Sequence, residues 1–123
     1  MNISVLCAQD AYLELKPQSK IPVVSDWPNQ GKSLDEVISA NGNLGLILGS
    51  TSAILDIDLD CMKAKALADV ILPVPHAVFD RGSTDSGHYL YQASSFGPRK
   101  TFNAEGAKST FVELRGDGCQ TMI

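Results

Sequence analysis

At 123 residues, with 44% hydrophobic and 20% charged side chains, the chain has the make-up of one ordinary domain with a core of its own, which excludes a disordered or low-complexity protein. Its net charge of −4 at pH 7 argues against indiscriminate nucleic-acid binding, because phosphate neutralisation needs a surplus of Lys and Arg. That surplus exists only locally, over residues 81–115, where Arg81, Arg99, Lys100, Lys108 and Arg115 outnumber Asp85, Glu105 and Glu113.

Val5, Leu6, Ala8, Tyr12, Leu13 and Leu15 fall at roughly helical spacing before Pro17, so the spacing predicts an amphipathic helix over 4–16. Lys20 to Val24 is extended. Ser33-Leu34-Asp35-Glu36 has the pattern of a capping box and predicts a short helix through Ala40, ended by Asn41 and Gly42. Leu44 to Leu48 reads as a buried strand, 49–52 as a turn, and Ala53 to Asp58 as its hairpin partner. Met62 to Ile71 is helical until Pro73 and Pro75 stop it. His76 to Asp80 and His88 to Ala93 read as strands around a polar loop, and Ser94 to Lys108, rich in Gly, Pro and Ser, as a surface excursion. Thr110 to Arg115 and Cys119 to Ile123 are two final strands joined by the turn Gly116-Asp117-Gly118.

The sum is a single mixed α+β domain with hairpin-like connections, without strict βαβ alternation or internal repeat. It stops at Ile123 within an apolar strand pattern, as expected of a partial domain cut short at its C-terminus. Cys7, Cys61 and Cys119 form no Cys-x-x-Cys pair, so free thiols in a reducing compartment are expected. The N-terminus lacks the basic, apolar and small-residue regions of a signal peptide, and no apolar run could cross a bilayer. A cytoplasmic protein with no membrane partner is the expectation.

The most informative stretch is Ala53 to Asp60. Alternation along a strand sends Asp56, Asp58 and, at its end, Asp60 one way, and Leu55, Ile57 and Leu59 the other. Carboxylates packed so closely repel, and a divalent cation with a preference for oxygen ligands relieves them; an acidic strand end running into a solvated loop is the plainer reading. Asp60 is read as a bystander near the strand end. Gly31-Lys32-Ser33 is rejected as a phosphate loop, because Asp26 stands where its first Gly is needed and no buried strand precedes it. The loop Asp80 to Gly87 offers hydroxyls, flexible backbone and Arg81 to an anion, then enters a strand at His88; a His there is as able to anchor its own loop as to meet a phosphate. In Phe111 to Arg115, Glu113 and Arg115 share one face, and a carboxylate there, on a neighbouring strand, would complete a cation site.

Taken in order, Asp56-Ile57-Asp58, Ser86-Gly87-His88 and Val112-Glu113 resemble the three motifs of the archaeo-eukaryotic primase superfamily, in particular the bifunctional primase-polymerase domains of plasmids and phages. Lys20-Ile21-Pro22 with Trp27, Asn43-Leu44-Gly45 with Gly49, Arg81-Gly82-Ser83, and Glu113 to Gly118 with Gln120-Thr121 are similar to the flanking residues of that family. The resemblance implies a modified RNA-recognition-like antiparallel sheet flanked by helices. It also implies a metal-dependent nucleotidyltransferase that joins nucleoside triphosphates on a DNA template, working beside a replicative helicase domain or protein.

On that resemblance Asp56, Asp58 and Glu113 are the catalytic, metal-holding carboxylates for Mg²⁺ or Mn²⁺, and Ser86 and His88 contact the triphosphate. Arg81 and Arg115 are expected as further phosphate contacts on charge grounds. Two alternatives stay open: an Asp-x-Asp phosphohydrolase or nucleotide-sugar transferase, against which Leu59-Asp60 stands where a Gly-Thr pair is expected, and a non-catalytic primase-like module.

Overall fold

The computed structural model describes residues 10–80, 86–103 and 110–123. In chain order the elements are β1 (Tyr12–Leu15), a 3₁₀ turn (Trp27–Asn29), α1 (Leu34–Ile38), β2 (Asn43–Ile47), β3 (Ile54–Leu59), α2 (Met62–Ile71), β4 (Ala77–Phe79), β5 (Gly87–Gln92), β6 (Lys100–Asn103), β7 (Thr110–Arg115) and β8 (Gln120–Met122). They build two antiparallel sheets, one of order β1-β2-β8 and one of order β4-β5-β3-β7-β6. The α+β class expected from the sequence is the one observed.

The expected helix over 4–16 is corrected where it is described: Tyr12–Leu15 is a strand, and residues 4–9 lie outside the described residues. Apolar residues at 12, 13 and 15 satisfy either period, and the choice falls to pairing. Tyr12, Leu13, Glu14 and Leu15 lie opposite Leu46, Gly45, Leu44 and Asn43, and Tyr12, Leu13 and Leu15 are all buried. The extended stretch after it bridges back at Leu15 and Pro22, with the Val23 amide donating to the Glu14 carbonyl at 3.0 Å. The capping box forms as the sequence predicts: Ser33 Oγ accepts from the Glu36 amide, and the Glu36 carboxylate accepts from the Ser33 amide at 2.9 Å.

Two connections differ from a plain hairpin reading. Just beyond the end of β2 the chain bridges to β3 at Gly49–Ile54, and the two strands then part into different sheets, because both edges of each strand are taken by others: β1 and β8 flank β2, while β5 and β7 flank β3. Positive φ at Gly49 (82°) and Ala53 (60°) gives the turn the reversal that this switch needs. Likewise β7 and β8 are joined by the Gly116–Gly118 turn but lie in different sheets. The stretch read as a surface excursion contains a further strand, β6, which pairs with β7 and forms the sheet's edge. Its four residues are all exposed, so they carry no apolar period for the sequence to show.

β3 is the central strand of the larger sheet. Its Ile57 and Leu59, with Tyr89 of β5, pack on Ala64 and Ala68 of α2. Ile54 and Leu90, from the other face, pack with Tyr12, Leu46 and Leu48 of the smaller sheet. The faces alternate as the sequence predicts, so the carboxylates of β3 point toward the smaller sheet. Among the described residues no helix is long and apolar enough to cross a membrane.

Candidate metal centre

Antiparallel register brings the site together. Asp58 lies directly opposite His88 of β5 on one side and Glu113 of β7 on the other, and Asp56 lies opposite Arg115. Cross-strand partners on one face sit within reach of each other's side chains, so three motifs far apart in sequence become one row. Asp60 follows the last residue of β3, held there by its own amide donating to the Phe111 carbonyl at 3.1 Å.

The carboxylates that converge are Asp58, Asp60 and Glu113, each offering an oxygen, all within 4.8 Å of one another. Three hard oxygen donors at that separation suit a small divalent cation such as Mg²⁺ or Mn²⁺, and a softer metal would find no His or Cys among them. Asp56, expected beside Asp58 at the metal, is not one of this group. It is fully buried, and its carboxylate accepts from His88 Nδ1 at 2.9 and 3.2 Å and from Arg115 Nη1 at 3.4 Å. The physical reason is depth: Asp56 sits two residues further into the sheet, where Ile54 and Leu90 are already fully covered, whereas Asp60 stands at the open strand end. A signal for Asp60 existed in the sequence, because Asp58-Leu59-Asp60 is a second, overlapping Asp-x-Asp.

Opposite charge lies close around this cluster. Arg115 reaches Glu113 at 3.5 Å and Asp58 at 3.9 Å and donates to the Gln120 carbonyl at 2.5 Å, which ties β7 to β8. Arg99, to which the sequence assigned no role, pairs with Glu113 although its own side chain is 59% exposed. Burial, above all, raises the Asp58 carboxyl above its ordinary value; His88 opposes this and the Asp56 charge adds to it. Loss of solvent does the same at Asp60, with the charge of Asp58 second. Burial alone would lower the His88 pKa, but the hydrogen bond and charge of Asp56 outweigh it and hold the ring above its ordinary value.

Two adjoining cavities, of about 340 and 230 Å³, share Lys20, Asp58, His88 and Met122 in their walls. The larger also takes in Trp27, Arg99, Glu113 and Arg115, and the smaller takes in Asp60, Asp80 and Ser86. Thus Ser86, His88, Arg115, Asp58 and Glu113 all border one open cleft between the sheets. Arg81 lies outside the described residues. Lys20, known from the sequence only as a flanking residue, contributes a cation to both cavities.

A carboxylate cluster at the end of a central antiparallel strand, with a His on the neighbouring strand and cations around it, has the donor set to hold a divalent cation. The chain matches the family model "Bifunctional DNA primase/polymerase, N-terminal" over residues 5–123. It belongs to that family. No curated protein matches the chain.

Proposed function

We propose that this domain is a metal-dependent nucleotidyltransferase that forms phosphodiester bonds from nucleoside triphosphates on a DNA template. The observation that carries the reading is the convergence of Asp58, Asp60 and Glu113 within 4.8 Å, in a cleft that His88 also lines. When bound there, Mg²⁺ or Mn²⁺ supplies charge neutralisation at the reacting phosphate and favours loss of the attacking hydroxyl proton.

The protein's own groups then bind and orient. His88 and Ser86 meet the triphosphate from the β5 side, and Arg115 and Lys20 line the same cleft with fixed positive charge. Arg81 keeps a phosphate role on sequence grounds. Arg99 balances Glu113 while no cation is bound, and is near enough to the cleft to take a phosphate oxygen once Glu113 turns to a metal. A replicative helicase is the working partner that the family resemblance implies.

The test is Mn²⁺ binding by calorimetry together with primed, template-directed incorporation. Asp58→Asn and Glu113→Gln should each lower incorporation by about a hundredfold or more, equivalent to ~2.7 kcal/mol of lost transition-state stabilisation, with circular dichroism unchanged. Undiminished incorporation by either folded variant removes the assignment.

A further inference from the structure

The larger cavity differs between its two sides. Asp58, His88, Glu113 and Arg115 make it charged on the side of the larger sheet, whereas Trp27 and Met122 bring an aromatic ring and a thioether to its lining from the side of the smaller one. The metal reading uses the charged side alone.

Trp27 is the one tryptophan of the chain. Together with Met122 it packs on Leu13, Leu15 and Ile47 of the smaller sheet, yet it stays only partly buried and borders the cavity. The 3₁₀ turn that carries it is tied down. Asn29 Nδ2 donates to Asp26 Oδ1 at 2.9 Å, the Asn29 amide donates to the Asp26 carbonyl and the Gln30 amide to the Trp27 carbonyl, each at 3.1 Å, and Pro28 fixes a backbone angle between them. A ring seated on a core and carried by a braced turn has little conformational freedom left to lose when a ligand lies against it.

A nucleotide has the same two-sidedness, with a polyanion at one end and a flat aromatic group at the other. From this match we infer that Trp27 is the platform on which the base of the bound triphosphate stacks, with the phosphates turned to the charged side. The cavity, at about 340 Å³, is of the size that small-molecule ligands occupy. Stacking engages the face of a base, which all four share, and leaves its pairing edge free. Template copying requires that division: the platform accepts every base and the template makes the choice. The inference rests on the nucleotide reading of the cleft and adds which part of the ligand lies against which wall.

The experiment reads the ring directly, by selective excitation of Trp27 in the native full chain, with Mg²⁺ as the cation because Mn²⁺ is itself a quencher. Non-hydrolysable triphosphates of all four nucleosides should each change its emission on saturation, after correction for their own absorption. Ribose 5-triphosphate, which lacks a base, should bind by calorimetry and leave the emission unchanged. Trp27→Leu keeps an apolar side chain on the core but removes the ring. It should weaken each nucleoside triphosphate by about tenfold, within the range of a lost base–aromatic stack, and ribose 5-triphosphate by less than about twofold. Trp27→Phe, which restores an aromatic face, should recover most of the loss.

Nucleotide binding seen by calorimetry with no change in Trp27 emission overturns the inference and leaves the nucleotide site standing. So does a Trp27→Leu variant that weakens ligands with and without a base equally, the mark of a merely structural role. A native chain that binds neither ligand removes the nucleotide-site reading, and the inference falls with it.

Discussion

Within the cleft, the chemistry turns on which carboxylates keep contact with solvent. Asp58 and Asp60 are both held above their ordinary value of 3.8, chiefly by desolvation, so their protonated forms are favoured by the fold. A cation needs the ionised forms, and protons therefore compete with it at pH values where a free carboxylate would already be ionised. Mn²⁺ affinity should fall as pH is lowered toward 3.8, with its midpoint above that value, as read by calorimetry across a pH series. The sign for stability is the reverse: without metal, a carboxylate whose folded pKa is raised makes the fold less stable as pH rises through it, and added Mn²⁺ should cancel that decline. A midpoint at or below 3.8 would contradict the burial argument. The alternation of acidic and apolar residues over 54–60 was legible in the sequence, and so was the sharing of one face by Asp56 and Asp58. Which two of three aspartates reach Glu113 was not, because period-two spacing assigns a face and says nothing of depth.

Among the elements, the two crossovers between the sheets are clamped together. Asp117, in the turn between β7 and β8, accepts from both the amide and the hydroxyl of Ser50 at 2.7 Å, and these contacts hold its carboxyl below its ordinary value. Gly49, next to Ser50, has φ of +82°, and a Cβ there would come within 2.2 Å of Asp117 Oδ1 and 2.6 Å of its backbone nitrogen. Gly49→Ala is therefore strained both in its own backbone and against the neighbouring turn. It should lose at least about 1–2 kcal/mol of stability, seen in thermal or urea unfolding, and a change of less than a few tenths would mean that the clamp is slack. The turn residues themselves were readable at both crossovers. Their consequence was not: the same Gly-rich signal ends a hairpin within one sheet or hands the chain to another, and the outcome depends on which strands claim the free edges. β1 shows the same limit, since its apolar residues fit two periods and only β2 chose between them.

For the whole molecule, the cleft has walls from both sheets: Asp58, His88, Glu113 and Arg115 from the larger, Gln120 and Thr121 from the smaller. A ligand filling it bridges the two, and binding to the folded state alone stabilises by mass action. Mn²⁺ with a nucleoside triphosphate at a hundred times its dissociation constant should add about 2.7 kcal/mol, a rise of several degrees in the unfolding midpoint. Mn²⁺ should raise the midpoint of Asp58→Asn much less, and an equal rise in both would place the cation elsewhere. What the amino-acid order determined without help was local: the capping box of α1, the α2 helix between Cys61 and Pro73, the apolar and acidic faces of β3, and the three short motifs in their order. Tertiary structure alone decided that Asp60 joins Asp58 and Glu113, that Asp56 turns to His88 and Arg115, and that an unpatterned segment becomes β6. These outcomes depend on strand register and on burial, both set by which distant segments compete for the same edge, and a linear spacing of residue types carries no record of that competition.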